Sequence, residues 1–478
     1  MRELKMFING EFTENQSGKW IDVLDPSTEE VLVRMPDGTV EEVRSAIEAA
    51  ERAQGDWERL PAIQRAGYLM KIAEGIRLRE KELTDTIVRE GGKTQGLANV
   101  EVLFTADYLE YMAGWARRYE GEIIQSDRPH ENIFLFKKAI GVTTGILPWN
   151  FPFFLIARKA APALLTGNTI VIKPSQITPI NAYIFAQIVA EVGLPKGVFN
   201  LVNGRGSVIG HELAANPKVG MVSLTGSVEA GVQTMAAASA NVTKVSLELG
   251  GKAPGIVMPD ADLDLAVKSI IASRVINTGQ VCNCCERVYV HTSVKALFLE
   301  KLLAGMKAVK TGNPHEIKDL DMGPLVEAGA LKSVQEKVEK AVAQGATLAL
   351  GGKRIGTKGY FFEPTVLTDC RQDMDIIREE TFGPVLPIVE FTDTEDAIRW
   401  ANDCEYGLTS SVYTQNLDVA FKLIRALKFG ETYINRENFE AMQGFHAGWR
   451  KSGIGGADGK HGLEEYLQTH IVYLETKG

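Results

Sequence analysis

Between residues 141 and 248, five short apolar runs alternate with stretches of helical pattern. The runs are Gly141 to Leu147, Asn168 to Ile172, Val198 to Val202, Val219 to Leu224 and Lys244 to Glu248. Runs this short and this apolar are what strands buried on both faces require. Strands separated by helices must be joined by crossovers, so the region predicts a parallel, doubly wound sheet. A second alternation starts near 254 and continues to about 440. The expected fold is α/β: a doubly wound parallel-sheet unit, a second α/β unit, and a small β element.

The small element comes from a break in the pattern. Glu122-Ile123-Ile124-Gln125 and Ile133-Phe134-Leu135-Phe136 read as two strands around the polar turn Ser126 to Asn132. The strand-like stretch Glu465 to Leu474 is expected to pair with this hairpin, in the same subunit or in a neighbour. The segment before it is mostly helical. Thr39-Val40-Glu41-Glu42 fits a capping box. A helix from about Pro61 to Arg79 carries an apolar stripe of Ile63, Ala66, Leu69, Ala73 and Ile76. Two more are expected near 82–89 and 94–118. At the start, Phe7 to Phe12 reads as a hairpin turning on Asn9-Gly10, not as a signal peptide.

With 478 residues the chain is long enough for about three folding units. Its net charge of −9 argues against nucleic acid or an anionic membrane as a partner. The most apolar region, 145 to 165, is interrupted by Pro148, Asn150, Pro152, Arg158, Lys159 and Pro162, so no membrane span is expected. Five cysteines are too few and too oddly placed for a disulfide framework, which suggests the reducing cytoplasm.

Three of those cysteines lie together, and the run Gly279-Gln280-Val281-Cys282 places the first on a loop after a helix expected over 262–277. A cysteine attacks as the thiolate and needs an activating environment or a base. Alone, Cys282 reads more readily as a buried structural thiol than as a nucleophile. Cys284 and Cys285 compete with it, and the C-x-C-C cluster has a poor spacing for zinc, so no metal is expected. Glu248 ends an apolar strand just before Gly250-Gly251-Lys252, at the sheet edge where ligands bind. Burial there predicts a raised pKa, suited to a general base. Asn150, within Pro148-Trp149-Asn150-Phe151-Pro152, can offer an amide N–H to an oxyanion or simply mark a turn. The dinucleotide-type signals are weak by pattern. Gly204-Arg205-Gly206 with Gly210 is one residue off the usual fingerprint, and Thr225-Gly226-Ser227 follows a strand and opens a helix.

Together, Glu248-Leu249-Gly250-Gly251-Lys252 and Gly279-Gln280-Val281-Cys282 resemble the signature of the aldehyde dehydrogenase superfamily. The resemblance runs over essentially the whole chain. It implies that Cys282 forms the thiohemiacetal, that Asn150 holds its oxyanion, and that Glu248 activates the water that releases the acid. It implies a nicotinamide dinucleotide held by Trp149, Lys173, Ser175, Gln176, Gly204, Gly226, Ser227, Glu380 and Phe382. Ser227 would then receive the pyrophosphate, Lys173 the adenine ribose and Glu380 the nicotinamide ribose. Many NAD-preferring members carry Glu where this chain has Gln176, so NAD or NADP is expected. Residues 1–120 and 141–248 would form the dinucleotide-binding domain and 249–447 the catalytic domain. Residues 121–140 and 462–478 would build the contact surface of a homodimer or homotetramer.

Within the superfamily the chain most resembles bacterial members acting on lactaldehyde and glycolaldehyde. The resemblance is carried by Glu120 to Pro129, Phe151 to Arg158, Val281 to Cys284 and Asn435 to His446. The expected lining is polar: Arg158, Asn283, Glu440 and His446. Such a lining favours a small substrate with hydroxyls to satisfy it. Arg158 and Glu440 read equally as a structural ion pair, and Phe151, Phe154 and Phe439 as core or wall. Three rivals stand beside this reading. An acylating dehydrogenase would lack the Glu, a succinate-semialdehyde enzyme would use Arg158 as a carboxylate clamp, and a silent binding protein would keep only the fold.

Overall fold

The computed structural model describes residues 2–477. Its first sheet has eight strands, ordered Gly453–Ile454, Lys244–Glu248, Val219–Thr225, Val142–Ile146, Thr169–Lys173, Phe199–Leu201, Met6–Ile8 and Glu11–Thr13. All five of the expected apolar runs are strands here, and they pair in parallel. Antiparallel strands close both edges. The strand order reverses between Val142–Ile146 and Val219–Thr225. That is where an open α/β sheet leaves a crevice beyond its carboxyl ends.

A second sheet takes seven strands, ordered Thr347–Leu350, Thr365–Thr368, Val385–Phe391, Cys285–His291, Ala253–Val257, Thr409–Tyr413 and Glu431–Ile434. Only its Thr347–Leu350 edge is antiparallel. The third sheet pairs Glu131–Ala139 with Glu122–Gln125 and with Leu467–Glu475, so the late strand joins the hairpin of its own chain.

Local chemistry accounts for the helices around the first sheet. Thr39 accepts from Glu42 N, and the Glu42 carboxylate accepts from Thr39 N, opening the helix Val40–Arg59. The helix Ala62–Leu78 buries Ala66, Leu69, Ala73 and Ile76, but Ile63 is 43% exposed. Its place in the first turn, one step off the stripe, turns it to solvent. Asn9 and Gly10, both with positive φ, make the tight turn expected at the first hairpin. Among the described residues no helix is long and apolar enough to cross a membrane.

Candidate active site

One carboxylate and a pair of helices position the Asn150 segment. The helix Phe154–Leu165 follows it directly, and Glu101, on the helix Gln95–Ala113, accepts from Phe153 N (3.0 Å) and Phe154 N (3.2 Å). Glu101 is itself paired with the buried Lys93, whose ammonium lies 3.5 Å from the Phe151 ring centre. A carboxylate at a helix N-terminus satisfies N–H groups the helix leaves unbonded. Asn150 is buried, and its amide orientation is set by its contacts. Oδ1 accepts from Phe151 N (3.1 Å), and Nδ2 donates to the Gln280 carbonyl (3.1 Å). An amide nitrogen carries two hydrogens, so one remains to offer.

Cys282 is reached by a strained path. The helix Leu263–Val275, capped by Asp262, is followed by Asn277 (φ 46°) and Thr278 (φ 59°), both left-handed without being glycine. Tertiary bonds hold them there: Asn277 Nδ2 donates to the Asn150 carbonyl (3.2 Å), and Thr278 Oγ1 to Gly323 O (3.0 Å). Gly251 explains the Gly-Gly of its motif, since a Cβ there would stand 2.5 Å from the Cys282 carbonyl oxygen. Cys282 is half-buried, whereas Cys284 and Cys285 are buried and their thiols are pushed up to about 12 by that burial.

Glu248 stands beside Thr225 in parallel register and accepts from Thr225 Oγ1 (2.7 Å). The expectation of a raised pKa is wrong. Burial does oppose the charge, but Lys159, Arg158 and His446 together outweigh it and hold Glu248 down to about 2. Lys159 is pushed down to about 8 by its own burial and donates to Ser223 Oγ (2.8 Å).

Cys282 opens on two sides. One is a pocket lined by Asn150, Cys282, Asn283, Arg158, Glu440 and His446. Its opposite wall is apolar: Val100, Phe104, Phe151, Phe154 and Phe439. Arg158 is held by two carboxylates. Its Nε meets Asp458 Oδ1 (3.0 Å), and Nη2 meets both Asp458 Oδ2 and Glu440 Oε1 (3.0 Å). The other oxygen of Glu440 accepts from Asn283 Nδ2. His446 Nδ1 lies 2.5 Å from Glu431 Oε1.

The other side is a cleft at the strand-order reversal, lined by Trp149, Gly226, Ser227, Glu248, Gly250, Glu380 and Phe382. The Trp149 and Phe382 rings meet edge to face, 5.5 Å between centres. Ser227 caps the helix Val228–Ala238 by accepting from Ala230 N, leaving first-turn N–H groups directed at the cleft. Glu380 is half-buried with its carboxylate turned onto Gly251 N (2.8 Å); burial, with the Glu286 charge adding, pushes it up to about 7. Lys173 ends its strand buried, with Nζ bonded among the described residues only to the Pro174 carbonyl, and burial pushes it down to about 8. A buried ammonium with one neutral acceptor has donors to spare for a polar ligand. Ser175 is buried and accepts from Ile177 N, and Gln176 is exposed. Gly204 lies apart, packed against the Gly38 backbone and outside the cleft lining.

Four further residues reach this centre without standing out in the sequence. Asp458 sits in a glycine-flanked turn and Glu431 on an unremarkable strand, and neither carries a local signal. Lys159 does carry one, as the second of two charges in an otherwise apolar helix. Glu286 is the fourth. Buried, it accepts from Lys252 Nζ (2.7 Å), Arg274 Nη1 (2.9 Å), Thr381 N (2.9 Å) and Phe382 N (3.1 Å). Arg274 continues to the Gly279 carbonyl, so one buried carboxylate ties the Phe382 loop to the Cys282 loop.

Cys282 is thus half-buried between a pocket of mixed polar and apolar walls and a cleft at the strand-order reversal of an α/β sheet, the place where such folds bind ligands. The chain belongs to the aldehyde dehydrogenase family, whose sequence profile ("Aldehyde dehydrogenase family") matches residues 12–472. It is 67% identical to lactaldehyde dehydrogenase of Escherichia coli (strain K12), over 98% of both chains. A crystal structure of the Escherichia coli lactaldehyde dehydrogenase superposes with a TM-score of 0.98 over 99% of each chain. D-glyceraldehyde dehydrogenase (NADP(+)) of Thermoplasma acidophilum is 38% identical, covering 100% of this chain and 97% of its own. Betaine aldehyde dehydrogenase of Staphylococcus aureus, solved in complex with NAD+, is 36% identical with a TM-score of 0.97, over 99% of this chain and 95% of its own.

Proposed function

We propose that this enzyme oxidises a short hydroxyaldehyde, of the lactaldehyde or glycolaldehyde type, to its carboxylic acid. The observation that carries the reading is the pocket itself, where Cys282 shares its walls with Asn283, Glu440 and His446. Beyond the bonds they already make, the second Asn283 N–H, the remaining lone pairs of Glu440 and the Nε2 of His446 are open to substrate hydroxyls that an apolar aldehyde lacks. The apolar wall of Phe151, Phe154 and Phe439 limits the pocket to a small molecule. Both the 67% identical lactaldehyde dehydrogenase and the glyceraldehyde dehydrogenase carry hydroxyaldehydes in their names. Arg158 argues against the semialdehyde reading, because Asp458 and Glu440 already take up its charge.

In the proposed cycle the Cys282 thiolate adds to the aldehyde carbon, and the free N–H of Asn150 stabilises the oxyanion. A nicotinamide dinucleotide bound in the second cleft supplies the hydride acceptor. Trp149 and Phe382 would flank it, Ser227 and the helix behind it would receive phosphate, and Glu380 and Lys173 would take ribose hydroxyls. Oxidation leaves a thioester on Cys282. Glu248, ionised at any working pH, accepts a proton from the water that attacks this thioester, and the acid departs. Exposed, neutral Gln176 imposes no charge repulsion on a 2′-phosphate, so both NAD and NADP are accepted. The three-stranded sheet exposes apolar side chains on both faces, Ile123 and Phe136 on one and Ile471 and Tyr473 on the other, suited to contact between subunits of a dimer or tetramer.

Initial rates of nicotinamide reduction test the reading, with lactaldehyde, glycolaldehyde, succinate semialdehyde and an apolar aldehyde, each with NAD and NADP. The hydroxyaldehydes should give the highest kcat/KM. A preference for succinate semialdehyde would overturn the substrate assignment, and failure with NADP the cofactor assignment.

A further inference from the structure

Glu90 stands where its own helix disfavours it. It is fully buried in the last turn of the helix Glu80–Gly91, at the end where the helix dipole opposes a negative charge. Burial opposes the charge as well and pushes the carboxyl up to about 7. Its hydrogen-bond partners belong to another element. Oε2 accepts from Ile180 N (2.7 Å), and Oε1 accepts from Asn181 N (3.0 Å) and Asn181 Nδ2 (2.6 Å). These groups open the helix Ile180–Val192, whose own cap residue is Pro179. Proline has no side-chain acceptor, so Glu90 caps this helix from outside its sequence. The carboxylate is fixed from behind. Gly92 (φ 70°) ends the helix that carries it, and a Cβ there would stand 2.6 Å from Pro324 Cγ.

The contacts continue from Glu90 to the cleft. The second hydrogen of Asn181 Nδ2 goes to the Thr178 carbonyl (2.8 Å), and Thr178 Oγ1 donates to the Trp149 carbonyl (3.4 Å). Asn181 and Thr178 are fully buried, so water does not compete for these bonds. Trp149 lines the cleft and packs edge to face on Phe382. The segment held this way, 174–179, begins directly after Lys173. The sheet fixes its first end, where Leu147 N donates to the Lys173 carbonyl (3.0 Å). Glu90 fixes its second end.

We propose that Glu90 is a positioning residue for dinucleotide binding. It holds the segment 174–179, and through Asn181 and Thr178 the Trp149 wall, in the arrangement that receives the dinucleotide. The inference rests on the reading of this cleft as the dinucleotide site. Glu90 lines neither the cleft nor the pocket and acts only through these contacts.

The test is calorimetric titration of the full-length enzyme with NAD and with NADP, in mild alkali where Glu90 carries its charge. Steady-state kinetics at saturating dinucleotide run beside it. Glu90→Gln keeps the shape of the side chain but sets an amide NH₂ against N–H donors. It should raise the dinucleotide Kd by about tenfold, while kcat at saturation and the KM for aldehyde move far less. Leu83→Ala, a core truncation on the same helix, controls for general loosening and should lower stability without moving Kd. An unmoved Kd in Glu90→Gln would overturn the proposal. An equal rise in Leu83→Ala would overturn it too, as would a loss confined to kcat. Should Glu90→Gln fail to fold, Asn181→Ala breaks the link to Thr178 and leaves both backbone N–H groups on Glu90. Its Kd should rise by a smaller factor, and an unchanged value overturns the proposal equally. Wild-type enzyme that binds neither dinucleotide would remove the reading of the cleft and this inference with it. Wild-type binding with unmoved variants would remove this inference alone.

Discussion

The two sides of Cys282 are built by opposite means. Toward the cleft, the walls come from compact runs: Trp149-Asn150, Gly226-Ser227, Glu248 to Gly250, and Glu380 with Phe382. Glu286 locks these runs together through Lys252, Arg274 and two backbone N–H groups. Toward the pocket, single residues arrive from positions 158, 283, 431, 440, 446 and 458 and pair with one another by charge. On the first side a buried carboxylate clamps backbone, so its loss is felt in stability. On the second, carboxylates face one another's partners around an opening, so their loss is felt in affinity for substrate.

The sharpest break falls where both sides meet. Cys282→Ala should abolish aldehyde oxidation, by about 10⁴-fold or more, while dinucleotide binding measured by fluorescence quenching persists. Asn150→Ala should lower kcat by about 10²-fold, with a smaller change in KM. Glu248→Gln should slow thioester release, visible as a burst of reduced nicotinamide followed by a slow steady rate; a wild-type steady rate would remove its role as base.

The contrast itself is tested next. Glu286→Gln leaves Lys252 and Arg274 buried with one charge partner lost. That should cost about 3–5 kcal/mol, read in urea unfolding. Glu440→Gln should cost little stability and raise KM for hydroxyaldehydes about tenfold, the worth of one hydrogen bond to a charged group. Equal stability losses in the two variants would erase the distinction between cleft and pocket.

The pH dependence separates the sides further. Glu286 is held at about 2: burial resists its charge, but Lys252 and Arg274 prevail. A depressed carboxylate stabilises above its unfolded value of about 4.5, and that stability is lost as pH falls from there toward 2. The raised imidazole of His446 works the other way. Its contribution is complete below about 6.5 and is lost as pH rises through its folded value. Thermal melts of Glu286→Gln should therefore approach wild type in acid, and those of Glu431→Gln as pH rises past the raised imidazole. The smallest effect belongs to Gln176→Glu, which should reduce NADP use by roughly tenfold by restoring like-charge repulsion, about 1.4 kcal/mol, and leave NAD use unchanged.

The cleft side is legible in the amino-acid sequence, because contiguous motifs carry their own geometry. A strand ending in Thr225 or Glu248 and followed by glycine announces a ligand-facing loop, and glycines at 250 and 251 announce close approach. The pocket side is legible only in part. Arg158, Asn283, Glu440 and His446 stand out through family resemblance. Their partners Asp458 and Glu431 do not, since a lone acidic residue on a turn or strand has no periodicity to betray it. Glu248 shows the same limit in its charge. Its burial follows from the apolar strand, but the cations that reverse the sign of its pKa shift come from helix Phe154–Leu165 and from His446.

Order along the chain decided the α/β alternation, the capping box at Thr39, the Asn-Gly hairpin and the parallel sheet, because each rests on contacts within a few residues or on a repeating pattern of burial. Only the tertiary structure decided that Asp458 neutralises Arg158, that Glu431 grips His446, that Glu248 stays ionised, and that the Leu467–Glu475 strand returns to its own hairpin. Those outcomes depend on distances between segments that lie far apart along the chain, and electrostatic free energy is set by those distances and by the exclusion of water around them.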